Sequence, residues 1–244
     1  MEKNIIGDIK ISGSGSSCGG KCNEVSISGS GKINGDLECV EFKTSGSSKV
    51  TGALKAETIK VSGSANIEGD IEVGEMKVSG SAHVLGQVKG QSIKISGSIH
   101  VGESLYGEEV NISGSLHVGK DCEVERFKAS GNFKIQGLLN AGEVNISLGG
   151  KSSVKEIGGE HIEVKVSSIE NFFLKKVIDN IFNTKGELTT ELIEGDEIYL
   201  ENTNAKIVRG NNVTIGDGCN IGLIEYSGEI NISSESIVKE QKKI

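Results

Sequence analysis

Lys60-Val61-Ser62-Gly63-Ser64-Ala65-Asn66-Ile67-Glu68-Gly69-Asp70 is the clearest copy of a motif that recurs along the chain. Its Ser-Gly-Ser-like triplet returns with the central glycine at Gly13, Gly29, Gly46, Gly63, Gly80, Gly97, Gly114 and Gly131; the first interval is 16 residues and the other six are 17. A fixed period near 20 marks a solenoid. Two residues before the glycine stand Ile11, Ile27, Val61, Val78, Ile95 and Ile112, and four before it Ile9, Val25, Phe42, Ile59, Met76, Ile93, Val110 and Phe127. Four after it come Ile33, Val50, Ile67, Val84, Val101, Val118 and Ile135; eight after it, Leu37, Leu54, Ile71, Val88, Leu105, Cys122 and Leu139. Ser, Lys, Glu, His and Asn fill the places between. Apolar residues spaced by two, with polar residues between, have strand periodicity with one face buried.

Each repeat therefore holds three short strand pieces, broken at the triplet glycine, at a second glycine (Gly35, Gly52, Gly69, Gly86, Gly137) and at a third bend. Glycine suits such corners because it reaches backbone angles that other residues resist. The expected fold is all-β: a triangular parallel β-helix with about 17 residues per coil. Eight or nine coils spaced by roughly 4.8 Å would make a rod on the order of 40 Å long. A helical-repeat solenoid is rejected, since its apolar spacing is three and four and glycine in every unit would weaken it.

Composition agrees with a thin aliphatic core: aromatics are 4%, glycines number 35, and proline and tryptophan are absent. Large rings are not expected inside so narrow a coil, and proline would delete a ladder hydrogen bond. A formal net charge of −8 argues against a nucleic-acid partner, which needs concentrated basic surface. No segment has the apolar length of a membrane span, and Met1-Glu2-Lys3-Asn4-Ile5-Ile6 is no signal peptide. Five cysteines without a compelling pairing fit a reducing cytoplasm.

Taken in order, residues 1–8 are a lead-in whose Ile5 and Ile6 are expected to cap the first coil, with contact to a membrane the weaker alternative. Cys18 and Cys22 flank a glycine loop and form at most half a metal site, so free thiols at a coil edge are expected; Cys39 and Cys122 fall in inward columns. A lysine column (Lys43, Lys60, Lys77, Lys94, Lys128) runs beside a glutamate column (Glu24, Glu41, Glu75, Glu109, Glu143), offsetting like-charge stacking. His83, His100 and His117 recur 17 apart and should stack on one outward face, where a solvated column is expected over a zinc site. No cofactor is expected.

Past Ile146 the rhythm breaks. Ile169, Phe172, Phe173, Val177, Ile178, Ile181 and Phe182 follow helical spacing, with Ser167 and Glu170 as a capping-box start and Gly186 as a stop. The spacing predicts one amphipathic helix over 168–183, packed on the β-helix or holding a protein partner, with a membrane surface the weakest option because only Lys175 and Lys176 are basic on its polar face. Strand pairs return at Ile198/Leu200, Ala205/Ile207, Val213/Ile215, Cys219/Ile221 and Ile230/Ile232. The expected division is a β-helix over 1–166, a helical insertion over 167–187, further coils over 188–238, and a frayed tail over 239–244.

The coils around Gly63, together with Leu188-Thr189-Thr190-Glu191-Leu192-Ile193-Glu194-Gly195-Asp196 and Val208-Arg209-Gly210-Asn211-Asn212-Val213, resemble the bactofilins, the later stretch resembling the longer type of Gram-positive bacteria. The resemblance implies a right-handed β-helix that joins end to end into filaments without nucleotide, serving as a cytoplasmic scaffold in cell shape, motility or polar organisation. Physics reaches part of this independently, because an open coil end presents unpaired backbone groups to another chain. Candidate contacts are Ile5, Ile6, Ile9 and Ile11 at one end, Ile230 and Ile232 at the other, and Ile169, Phe172, Phe173, Ile178 and Phe182 on the helix.

The rival readings are a non-polymerising adaptor that uses the helix and a hexapeptide acyltransferase. Only Ile215-Gly216-Asp217-Gly218-Cys219-Asn220-Ile221-Gly222 suggests the latter, and it is a single copy. No catalytic constellation stands out, so an enzyme is not expected.

Overall fold

The computed structural model describes residues 7–167 and 186–244, and among these residues every regular element is a β-strand. They form two compact units, one up to Lys120 and one from Asp121 onward. Both are parallel β-solenoids.

In the first unit the coil around Gly63 is representative. Leu54–Val61 pairs with Ile71–Val78 in parallel, Leu54 opposite Ile71 and Val61 opposite Val78. Pairing skips Glu57, so the strand turns a corner there. Ser64–Ile67 supplies the third side and lies between Ser47–Val50 and Ser81–Val84. Leu54, Ala56, Ile59, Val61, Ala65 and Ile67 all point inward and are buried. Burial of each large aliphatic side chain contributes roughly 1.5–3 kcal/mol, so the stacked columns hold the unit together. The columns through Ala56 and Ala65 join the four that alternation marks.

The triplet glycines do stack in a file, but for a different reason from the one expected. Their φ angles stay out of the left-handed region, which among the described glycines only Gly20, Gly35 and Gly218 occupy. What excludes a side chain is close approach: a Cβ on Gly63 would collide with the carbonyl oxygen of Gly46, and one on Gly80 with that of Gly63. Gly13, in the first coil, has nothing within 4 Å of that position.

Large rings also fit inside the coils, contrary to the reading of composition. Phe42 and Phe127 are fully buried. Phe42 shares its coil with the small inward residues Gly31, Cys39 and Thr44, which leave it room. Phe127, in the second unit, has Cys122 and Ala129 beside it and meets the edge of Phe133 at 5.3 Å between ring centroids.

The second unit is less regular. Asn132–Leu148 and Lys151–Val166 pair with a register shift between Ile135 and Leu138, and Glu187–Leu200 pairs with Thr203–Ile215 in a shorter lap that sets Leu188 opposite Thr203. Ala205 is buried as expected, but Val208 is buried in place of the expected Ile207, because a corner interrupts the alternation. The amphipathic helix expected over 168–183 lies outside the described residues. Its expected flanks, however, belong to the coil: the Ser167 N–H donates to the Leu148 carbonyl (3.2 Å) and the Glu187 N–H to that of Gly150 (3.1 Å). Residues 239–243 are not a frayed tail. They lie in the strand Ile237–Lys243, whose backbone pairs with Asn220–Tyr226.

Candidate functional site

Among the described residues, two coil edges are open. Ile9–Ile11 pairs with Glu24–Ile27, and Ser14–Lys21 with Ser30–Thr44; no other strand of the described residues pairs with either. Small residues fill this edge: Ser14, Gly15, Ser16, Cys18 and Gly20 are exposed, and short side chains leave the backbone uncovered. Its charged groups are already engaged, Lys10 with Asp8 at 3.4 Å and Lys21 with Glu38 at 2.8 Å. Of the expected contact residues, Ile9 and Ile11 are half-buried here, while Ile5 and Ile6 lie outside the described residues.

In the second unit, Ile230–Ile232 pairs with Thr203–Ile215, and Ile237–Lys243 with Asn220–Tyr226; the described residues offer no strand beyond them. Ile230 and Ile232 are half-buried. Two residues that alternation did not single out are more prominent: Ile237 is 64% exposed and Ile244 61%. Lys239, Lys242 and Lys243 flank them, the kind of charge that discourages pairing at a sheet edge. Ile169, Phe172, Phe173, Ile178 and Phe182 lie outside the described residues.

On the flanks, the lysine and glutamate columns interlock. Glu41 accepts from Lys43 at 2.6 Å and from Lys60, one coil on, at 2.9 Å, which holds its carboxyl below the usual range. Each such exposed pair contributes little to stability, and together they relieve the repulsion of stacked lysines.

The three histidines stack, with ring centroids 4.8 Å apart from His83 to His100 and 4.4 Å from His100 to His117. Burial lowers the His100 pKa, and the charges of His117 and His83 lower it further. A depressed folded pKa means stability that is complete above the ordinary histidine value, roughly 6.5, and is lost as pH falls through the folded value. The first unit is therefore expected to weaken on acidification below about pH 6.5. His100→Asn, which copies Asn66 in the same column, should reduce that dependence. Urea unfolding at a series of pH values checks it, and identical slopes for the two proteins would contradict it.

Cys18 and Cys22 part company: Cys18 is exposed and Cys22 is buried against Cys39. Among the described residues no group of three or more His, Cys, Asp or Glu side chains could hold a metal ion. A shallow groove of about 690 Å³ in the second unit gathers Glu143, His161, Glu163, Glu197 and Tyr199. Several of these are tied to neighbours. Asn145 donates to Glu143 at 2.6 Å and Asn212 to Glu197 at 2.7 Å. The Tyr199 hydroxyl donates to Glu201 at 2.7 Å, which pushes its pKa up to about 12. These bonds tie each group to its own coil or to the next one. No helix among the described residues is long and apolar enough to cross a membrane.

Residues 3–89 match the sequence profile of a family described as bactofilin, polymer-forming cytoskeletal. Two proteins of Bacillus subtilis (strain 168) are similar. The uncharacterized protein YhbF is 45% identical over 109 residues, 44% of this chain and 42% of the relative. The uncharacterized protein YhbE is 42% identical over 112 residues, 46% of this chain and 45% of the relative. The matched part thus spans less than half the length of either relative. No solved structure matches the chain.

Proposed function

We propose, on the premise that residues 3–89 belong to the bactofilin family of polymer-forming cytoskeletal proteins, that this protein is a structural scaffold whose copies associate through open coil edges. No nucleotide takes part. The reading places the polymer in the cytoplasm, whose reducing poise fits five cysteines that are free at rest, and assigns it to cell shape or motility. The observation that carries it is the edge of Ser14–Lys21: unpaired on one side among the described residues, built of small side chains, and with its charges engaged. Backbone donors and acceptors left in that state are a template for a strand of a second copy.

Gly13 provides the test. A Cβ on Gly29 would meet the Gly13 carbonyl, so a Cβ on Gly13 is directed the same way, past the first coil into open space. Gly13→Val should leave the fold of a single chain intact and stand in the path of a second copy. Wild-type protein is expected to sediment as large, salt-tolerant assemblies resolved as thin filaments by electron microscopy, and Gly13→Val as small species with an unchanged circular dichroism spectrum. Monodisperse wild-type monomer at high concentration would overturn the scaffold. Filaments of Gly13→Val equal to wild type would remove this edge from the contact.

A further inference from the structure

Cys22, unlike the exposed Cys18, is buried in the first unit, where its thiol meets another. Lys21 lies opposite Glu38 and Glu24 opposite Glu41, so Cys22, at the corner between the strands Ser14–Lys21 and Glu24–Ile27, lies opposite Cys39 in the next coil. The Cys22 N–H donates to the Glu38 carbonyl at 2.9 Å, fixing that register. Both side chains turn inward, each 7% exposed, and the two thiols are close enough to shift each other's pKa. In-register neighbours on paired strands stand about 4.8 Å apart, inside the Cα separation that a disulfide spans. Ala56 continues the column beyond Cys39, a small neighbour that leaves the sulfurs room to rotate. The remaining thiols are placed differently: Cys122 and Cys219 are buried in the second unit, Cys219 donating to the Leu200 carbonyl at 3.3 Å.

We propose that Cys22 and Cys39 are an oxidisable dithiol that closes to a disulfide joining the first two coils of the amino-terminal unit. The inference rests on this register and does not depend on the scaffold reading. The co-reactant is a hydroperoxide. Cys22 reacts first, because it lies in the coil with the open edge and burial raises its thiol less than that of Cys39, which is pushed up to about 12. The Cys22 thiolate attacks the terminal peroxide oxygen and the O–O bond breaks, leaving a sulfenic acid; the departing hydroxide takes the thiol proton as water. The Cys39 sulfur then attacks the Cys22 sulfur. The S–O bond breaks, and the second hydroxide leaves as water with the Cys39 proton. Two thiols are oxidised and one hydrogen peroxide is reduced to two waters.

The product ties the strand Ser14–Lys21, paired on one side only among the described residues, to its neighbour, so that the end coil cannot open alone. Full-length protein treated with hydrogen peroxide, alkylated under denaturing conditions and digested with trypsin tests this. The expected result is the loss of two of the five thiols and a linked pair of peptides, Cys22–Lys32 with Ile33–Lys43. Cys18→Ser should give the same linkage, and Cys39→Ser none. Five thiols that survive oxidation, oxidation confined to Cys18, or a sulfinic acid on Cys22 beside a free Cys39 would each overturn the proposal. The wild-type peptide map decides it even if a variant fails to fold.

Discussion

Ile67→Lys is expected to unfold the first unit, while Asn66→Lys, one residue earlier, should leave it near wild-type stability. Ile67 is fully buried in the interior column Val50, Ile67, Val84, and Asn66 faces solvent in the column that holds Lys49 and His83. The two variants place the same charge on the same strand and differ only in the direction of the side chain. Inward, the ammonium meets aliphatic neighbours above and below, with no carboxylate in reach of its column. An uncompensated buried charge costs about 3–5 kcal/mol, and the lost isoleucine burial adds about 1.5–3 kcal/mol. That total rivals the whole stability of an ordinary domain, about 5–15 kcal/mol. Outward, the introduced ammonium would join Lys49, which is already neutralised by Glu68 at 2.7 Å. Urea unfolding followed by circular dichroism checks the pair, and similar midpoints for the two variants would refute the assignment of inside and outside.

Gly80→Val is expected to be the second most damaging change. The corner at Gly80 lies directly on the corner at Gly63, so the new Cβ meets the Gly63 and Ser62 carbonyl oxygens. Overpacking typically costs about 1–3 kcal/mol when side chains can yield. Here the obstacle is backbone, so the coils themselves must separate, and the loss should reach or exceed the top of that range. Gly13→Val as a single chain is the internal control, having the same triplet but no coil on the side its Cβ faces among the described residues. Thermal melts of the two variants should differ by many degrees. Equal melting would mean that the file of glycines is not what spaces the corners.

The fold was legible where residue size and polarity alternate without exception. Four inward columns could be read because Ile, Val and Leu dominate them, with Phe42, Met76, Phe127 and Cys122 among them. The other two were harder to read, because Ala56 and Gly90 dilute one, and Gly31, Ser48, Ala65 and Ala82 the other; such small residues carry no burial signal by themselves. Alternation placed Phe42 inward, but composition argued against a ring there, since the space it occupies is made by small partners that only the closed coil brings together. In the second unit, laps of unequal length blur the period, and the strand Ile237–Lys243, rich in lysine, reads as a tail until its backbone partners are known. The stacking of the histidines followed from their spacing. The meeting of Cys22 and Cys39 follows from the same 17-residue interval, yet the nearby Cys18 is the more obvious partner in the sequence. At the candidate site, Ile9, Ile11, Ile230 and Ile232 were located by strand periodicity; the prominence of Ile237 and Ile244 was not, since it depends on what lies beyond them.

The corner at Ser167 and Gly186 has a bearing on how such a chain can change length. Across residues 168–185, Lys151 faces Glu187, a separation of 36, whereas one lap earlier Leu138 faces Glu156, a separation of 18. The 18 residues of that segment account for the whole difference. Leu148 faces Val166 and Lys151 faces Glu187, so Ser167 and Gly186 fall opposite Gly149 and Gly150 as if nothing stood between them. A graft at a corner is therefore invisible to every ladder, while a single residue added within a side would turn its interior outward for the rest of that side. Tolerance to insertion should thus be all or nothing by position, with vertices free to acquire new sequence and edges closed to it.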